Sequence, residues 1–197
     1  MQRIHDFKID LASYYARGKD NLFPDWYDCP NPKCKYTGRL WRIGFYERNA
    51  ISATTVYRIV IRRYRCPACH RTYSLLPSFL APHIQYTLAV IFHCLRLIAL
   101  MQMPFKAAAS LTSEAMTYQQ VSLYKGRVEN KHGLCQAVLV ESGQASYTNE
   151  SFLQCWVKAV EREGGIELFS HKFIAAWKVC FLAKIPSGYP PVLASIG

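Results

Sequence analysis

The chain has 197 residues, of which 51% are hydrophobic, and a formal net charge of +11. This composition is typical of a globular protein with one or two small domains, and it excludes a disordered or fibrous chain. The first twenty residues carry charges that interrupt every apolar run, so we predict no secretory signal and a cytoplasmic protein. Because cytosolic thiols are kept reduced, the eight cysteines are not expected to form a disulfide framework.

Four of the cysteines occur as two short pairs. Cys29 and Cys34 form a C-x4-C pair in CPNPKC, and Cys66 and Cys69 form a C-x2-C pair in CPACH. Zinc prefers four deprotonated soft ligands in a tetrahedron, and two cysteine turns supply such a set. We therefore predict a structural Zn²⁺ held by these four residues.

The cysteines have two other interpretations. The string C-x-x-C-H also attaches c-type haem, but that attachment usually takes place outside the cytoplasm, which disfavours it here. Four unrelated buried thiols remain an alternative, because free cysteine is common in cores. His70 follows Cys69 directly and would be a ligand only if the turn opened differently, so it is left out of the ligand set.

The segments between and after the cysteine pairs have the composition of strands. Residues 39–47 and 54–65 are rich in aromatic and β-branched side chains, with Asn49 and Ser52 in a turn region between them. The string RTYSLL predicts a third short strand. Two cysteine turns joined by strands are the plan of a zinc ribbon, here residues 29–83, in which the metal substitutes for a small core.

The positive charge is concentrated in this predicted ribbon. Residues 29–83 contain ten basic residues and one acidic residue, Glu47, whereas residues 1–28, a predicted N-terminal arm, are slightly acidic. Arginine matches phosphate geometry, and each neutralised phosphate releases counterions, so we expect double-stranded DNA as the partner and a nucleoid-associated protein. A solvated basic surface is the alternative. The predicted DNA contacts in the ribbon are Arg58, Arg62, Arg63, Arg65 and Arg71.

The middle of the chain changes to a helical pattern. Residues 84–103 are apolar over a length that would suit a membrane span, but Arg96 near the centre would be costly in lipid. We therefore predict a buried core helix and no membrane association. Pro104 then opens a short helix, PFKAAASL, at a position where proline is tolerated.

A capped polar helix is predicted next. Thr117 and Gln120 are spaced as a capping box, and Gly133 is the predicted stop. A long helix, a short helix, a turn and a polar helix follow the order of a helix-turn-helix motif, so residues 84–133 are predicted as such a domain. A helical hairpin that only packs is the alternative. The predicted DNA contacts here are Gln119, Gln120, Ser122, Lys125 and Arg127.

The last third of the chain, residues 134–197, is predicted as a C-terminal helical extension. Phe152, Trp156 and Val160 have helical spacing, and a second helix is expected after Gly165. The remaining cysteines are predicted to be buried thiols: Cys94, Cys135, Cys155 and Cys180. The predicted fold class is therefore α+β, with a small N-terminal β zinc ribbon followed by a helical domain.

Residues 29–131 resemble the N-terminal DNA-binding region of bacterial insertion-sequence transposases, and related small uncharacterised proteins of mobile elements. The resemblance rests on RCPACHRTYSLLPSFLAP and the helices after it; its most specific residues are Cys66, Cys69, Arg65, Pro77 and Pro82. It implies that the ribbon and the last helix of the motif bind element-end or promoter DNA.

The chain departs from these transposases after the helix-turn-helix region. Their catalytic domain holds two metal ions with clustered acidic residues, whereas this sequence has no aspartate after Asp28. We therefore predict a non-catalytic accessory or regulatory DNA-binding protein of a mobile element. Two alternatives stay open: a truncated or subunit-type piece of a recombinase, acting with a catalytic partner or by self-association, and a ribbon that mediates protein contacts in a transcription or RNA complex.

Overall fold

The computed structural model describes residues 2–141, 151–177 and 179–183. The chain divides into two compact units, Met1–Thr87 and Leu88–Gly197. In the described residues, all strands lie in the first unit, and the second contains helices. The predicted α+β class is confirmed.

The first unit is built on a four-stranded sheet. Its order is β1-β4-β3-β2; β1 runs parallel to β4, and the other neighbours are antiparallel. The elements are β1 (Gln2–His5), α1 (Leu11–Arg17), a 3-10 turn (Gly18–Asp20), β2 (Trp41–Ile51), β3 (Val56–Arg65) and β4 (Thr72–Pro77).

The predicted ribbon strands are present, with shifted ends. The hairpin turn between β2 and β3 lies at residues 52–55, where the backbone N–H of Ser52 donates to the Thr55 carbonyl at 2.9 Å. The Ser52 hydroxyl oxygen also accepts from the N–H of Thr55 at 3.0 Å. Asn49, which was predicted for the turn region, lies inside β2 opposite Arg58. The serine side chain therefore fixes where the chain reverses.

The first 28 residues, predicted as an arm, lie inside the first compact unit. β1 pairs with β4, and Tyr14 of α1 is fully buried in a core with Ile61 and Leu76. Asp10 caps α1 by accepting from the N–H of Ser13 at 2.8 Å. A four-residue strand carries little sequence signal of its own, so its pairing with β4 decides its structure.

The two halves of β3 bury side chains on opposite faces of the sheet. Ile59 and Ile61 lie in the core around Tyr14, whereas Tyr64 lies in a second core with Trp26. Alternate residues of a strand point to opposite faces of the sheet. The arginines of β3 consequently divide between two faces.

The second unit consists of six helices in the described residues. α2 begins at Leu88 rather than at the predicted residue 84, because Tyr86 and Thr87 form backbone bridges with Ile51 and Leu80 of the first unit. The boundary between the units therefore follows Thr87. The helices are α2 (Leu88–Met101), α3 (Phe105–Thr112), α4 (Tyr118–Glu129), α5 (His132–Glu141), α6 (Phe152–Arg162) and α7 (Ile166–Trp177).

Helix α4 starts as predicted and ends earlier. Both hydrogen bonds of the capping box between Thr117 and Gln120 are present. The helix ends at Glu129, and Gly133, the predicted stop, lies inside α5. The segments predicted as separate domains, 84–133 and 134–197, belong to one compact unit from Leu88 onward.

The other cysteines lie in or near the helical core. Cys94, Cys135 and Cys180 are buried as predicted, and Cys155 is half-buried. None of the helices in the described part of the chain combines the length and the apolarity that crossing a bilayer requires.

Candidate functional site

Two cysteine turns meet at one end of the sheet. Cys66 and Cys69 lie in the connection from β3 to β4, where the N–H of Cys66 donates to the Arg71 carbonyl at 3.1 Å. Cys29 and Cys34 lie in the loop before β2, where the N–H of Cys29 donates to the Tyr36 carbonyl at 2.9 Å. Each turn is therefore closed by its own backbone bonds, and the aromatic core around Trp26 lies beside both.

The four sulfurs lie close enough to share one ion. The sulfur atoms of Cys29 and Cys69 are 3.5 Å apart, and those of Cys34 and Cys66 are 3.9 Å apart. All four lie within 4.8 Å of one another. Ligands about 2.3 Å from a tetrahedral zinc ion are separated by about 3.8 Å, whereas a disulfide bond measures about 2.05 Å. These cysteines are free thiols that could together hold a metal ion.

Backbone hydrogen bonds already favour a thiolate in one of these turns. The N–H of Arg71 donates to Cys69 and lowers the pKa of that thiol to about 6. The N–H of Tyr36 donates to Cys34, but burial and the neighbouring thiols outweigh this bond and raise the pKa of Cys34 to about 11. Four sulfurs this close repel one another when ionised, so a cation between them would stabilise the fully deprotonated set.

Tyr73 is part of this site, although it was not predicted. Its hydroxyl lies 3.1 Å from the Cys29 sulfur and 3.8 Å from that of Cys69. Burial, followed by these sulfur contacts, raises the pKa of Tyr73, which keeps the phenol protonated and able to donate to a thiolate. The string RTY directly after the second turn is the only sequence signal of this role.

His70 turns the chain instead of joining the sulfurs. Its backbone has a φ of 55°, in the left-handed region. Its N–H donates to the Cys66 carbonyl at 3.0 Å. The group of possible ligands in the described residues contains the four cysteines and no histidine. Leaving His70 out of the ligand set therefore agrees with the geometry.

The predicted DNA-contacting arginines of β3 fall into two groups. Arg58 and Arg62 share one face of the strand, where Arg58 pairs with Glu47 at 2.5 Å. The half-buried Arg62 lies over the Phe45 ring, with its guanidinium carbon 4.4 Å from the ring centroid. Arg58 is thus ion-paired at the surface, and Arg62 packs against an aromatic ring.

Arg63 and Arg65 point to the opposite face. Within the described residues, no carboxylate pairs with either of them or with Arg71. Arg65 and Arg71 are exposed and flank the Cys66–Cys69 turn, and Arg63 is half-buried. Lys33 and Lys35 are exposed on both sides of Cys34.

Of the DNA contacts predicted on α4, some are bonded within the protein and others are exposed. The amide oxygen of Gln120 accepts from the N–H of Thr117 at 2.9 Å, so it serves the cap. Arg127 donates to the Leu182 carbonyl at 2.9 Å, and Lys125 pairs with Glu129 at 2.5 Å. Gln119 and Ser122 are the two predicted contacts of this helix that are exposed.

Residues 29–118 are similar to a family described as "Domain of unknown function (DUF6431)". The matched segment begins at Cys29, contains both cysteine turns and β2 to β4, and ends at the first residue of α4. No curated protein and no solved structure matches the chain.

Proposed function

We propose that this chain is a zinc-containing DNA-binding protein whose metal-held sheet carries the phosphate-binding side chains. The observation that supports it is the group of five cations without carboxylate partners near the cysteine turns, among the described residues. They are Lys33, Lys35, Arg63, Arg65 and Arg71. A role as an accessory or regulatory factor of a mobile element is the extension of this proposal that the resemblance of residues 29–131 implies.

Zinc is the metal that this ligand set fits best. Four thiolates in a tetrahedral arrangement form a closed structural site, which is typical of zinc and leaves no position for a substrate. Iron also accepts four thiolates, so the donor set by itself does not exclude iron. The sulfur spacings of 3.5 Å and 3.9 Å lie on both sides of the value of about 3.8 Å for tetrahedral zinc.

More cations lie near the cysteine turns than a zinc site would need to balance its charge. A zinc ion with four thiolates carries two net negative charges, which two neighbouring cations would neutralise. Five cations lie near the turns, so an excess remains for an external anion. Arginine is prominent among them, and its planar fork matches phosphate oxygens better than a lysine ammonium does.

The salt dependence of DNA binding tests this proposal. Arg63→Ala and Arg65→Ala should each flatten the slope of log affinity against log salt by about one unit on a random-sequence duplex, because each removes one phosphate contact. Arg58→Ala is the matched control, since Arg58 lies on the other face and pairs with Glu47. Fluorescence anisotropy across a salt series measures the slopes; equal slopes in all variants would contradict the proposal.

Protein contact through α3 and α4 is a second candidate function. Three large apolar side chains are exposed on these helices beside Lys106 and Gln119, with Leu111 67%, Tyr118 54% and Leu123 48% exposed. Lys125 and Arg127 are engaged within the protein. This surface favours a protein partner over phosphates, which agrees with the alternative of a ribbon protein inside a larger complex.

A further inference from the structure

The chain just before β2 pairs with residues 26 and 27, which extends the sheet at this end. The N–H of Leu40 donates to the Trp26 carbonyl at 2.8 Å, and Tyr27 forms a backbone bridge with Arg39. Trp26 and Leu40 point into the core and are 8% and 1% exposed. Because neighbours along a strand point to opposite faces, Tyr27, Arg39 and Trp41 lie on the outer face.

Two large aromatic side chains are exposed on this outer face. Tyr27 and Trp41 are each 55% exposed. Tyr27 opposes Arg39, and Trp41 is two residues farther along the same strand, so the two rings are diagonal neighbours on adjacent strands. Such neighbours lie about 7 to 8 Å apart.

The arginines of β3 complete the same face. Trp41 is the cross-strand partner of Arg65, and Arg63 faces Gly44. A side chain at Gly44 would meet no atom within 4 Å, so the surface beside Arg63 is open. Arg39 pairs with Asp25 at 2.7 Å and is not counted among the free cations. The outer face is defined here as Tyr27, Trp41, Arg63 and Arg65.

We propose that this outer face binds single-stranded DNA, with bases stacked on Tyr27 and Trp41 and phosphates held by Arg63 and Arg65. The inference rests on the proposed DNA-binding function and specifies the form of the DNA. Exposed aromatic rings offer stacking surfaces for any base, and neighbouring arginines supply the charge that a phosphate backbone requires. An apolar protein partner would leave both arginines unneutralised, so charge complementarity favours the nucleic acid.

The spacing of the rings favours a single strand over a duplex. Successive bases in a duplex are about 3.4 Å apart along the helix, half the expected separation of the two residues that carry the rings. Two successive bases can each meet a ring only when the strand is drawn out of duplex geometry.

Binding to a fluorescein-labelled oligo-dT tests this inference at ~150 mM salt, the ionic strength of the cell. Trp41→Ala and Tyr27→Ala should each weaken binding about five- to hundredfold, which corresponds to the loss of one stacked base. Trp41→Phe should retain most of the affinity, because it keeps an aromatic face. Tyr15→Ala is the matched control, since Tyr15 is a half-exposed tyrosine on α1 that contacts Tyr57.

A duplex of random sequence separates this inference from the proposed function. Trp41→Ala should leave duplex affinity unchanged, and its zinc content and circular dichroism should equal those of the parent protein. Duplex binding with no effect of Trp41→Ala on oligo-dT would overturn the single-strand inference alone. Absence of binding to both forms would overturn the proposed function as well.

Two further results would also overturn it. Tighter binding to oligo-U than to oligo-dT through the same residues would assign the outer face to RNA. If the parent protein sediments as a dimer and Trp41→Ala sediments as a monomer, the outer face would be assigned to a second copy of the chain.

Discussion

Lys131 shows how a single buried charge can be kept in the helical unit. It is 3% exposed, and its ammonium donates to the Ala183 carbonyl at 2.5 Å and to the Arg127 carbonyl at 3.5 Å. Arg127 donates in turn to the Leu182 carbonyl at 2.9 Å. Arg127, in the last turn of α4, and Lys131, two residues after the helix, thus bind two successive carbonyls.

The buried position of Lys131 predicts a pH dependence of stability. Burial lowers the pKa of Lys131 from its ordinary value of 10.5. At pH values between the lowered pKa of the folded protein and the ordinary pKa of the unfolded chain, the unfolded chain binds more protons at Lys131 than the folded chain does. The contribution of Lys131 to the free energy of unfolding should therefore rise with pH in that window, by about 1.4 kcal/mol for each unit by which the pKa is lowered.

Comparison with Lys131→Met isolates this effect from other titrating groups. Denaturant unfolding at pH 7 and pH 10 gives the free energy of unfolding of both proteins. From pH 7 to pH 10, the parent protein should gain stability relative to Lys131→Met. Lys125→Met is the matched control, because Lys125 is more exposed and pairs with Glu129. A difference that is constant with pH would show that Lys131 titrates normally in the folded protein.

At the scale of the element, helix α4 begins with a capping box and has exposed side chains in the turns that follow. The capping box satisfies backbone N–H groups at its first turn, and Val121, Tyr124 and Val128 are buried. The exposed side chains that follow the cap include Gln119 and Ser122. The proposed role of the helix in reading DNA depends on these two residues.

The adjacent glutamines of α4 allow a matched test of DNA reading. If α4 lies in a major groove, Gln119→Ala should cost about 1 to 3 kcal/mol on a selected site and leave random-sequence binding nearly unchanged, because a base contact carries discrimination. Gln120→Ala should instead lower the free energy of unfolding by about 1 kcal/mol through loss of the cap, with no change in selectivity. Competition assays and thermal unfolding measure the two effects. An unchanged ratio of specific to random binding for Gln119→Ala would favour a helical hairpin that only packs.

At the scale of the whole molecule, the two units are stabilised in different ways. The first unit has two small aromatic cores and the cysteine site, whereas the helical unit, whose core includes Trp156, Phe169 and Phe173, has no group of possible metal ligands among its described residues. A structural zinc contributes about 10 to 16 kcal/mol to folding in small zinc domains, comparable with the total stability of a domain, about 5 to 15 kcal/mol. The first unit is therefore expected to depend on a metal ion held by the four cysteines.

Removal of the metal should consequently unfold the first unit and spare the second. We expect one zinc ion per chain by elemental analysis, and we expect Cys66→Ser to lose it because the site has only four ligands. The variant should lose the protection of β3 and β4 amides in hydrogen exchange, while α2 and α6 remain protected. Cys155→Ser, on α6, should keep full zinc content as the control; a Cys66→Ser protein with full zinc occupancy would disprove the ligand assignment.

The sequence alone determined the features that depend on short spacings. The two cysteine turns, the β2–β3 hairpin and the capping box at Thr117 each need only residues within a few positions of one another. Local backbone geometry and ligand chemistry fix them, so they can be predicted without knowledge of the fold. The coming together of the two cysteine pairs was predictable as well, because one ion requires all four ligands.

Only the tertiary structure decided which distant residues meet. It placed β1 beside β4, and it gave Arg127 and Lys131 carbonyl partners more than fifty residues away in sequence. It also placed Tyr27 and Trp41 on one outer face, apart from the paired Arg58. These outcomes depend on strand register and on packing between distant segments, and the composition of a segment does not encode its partner.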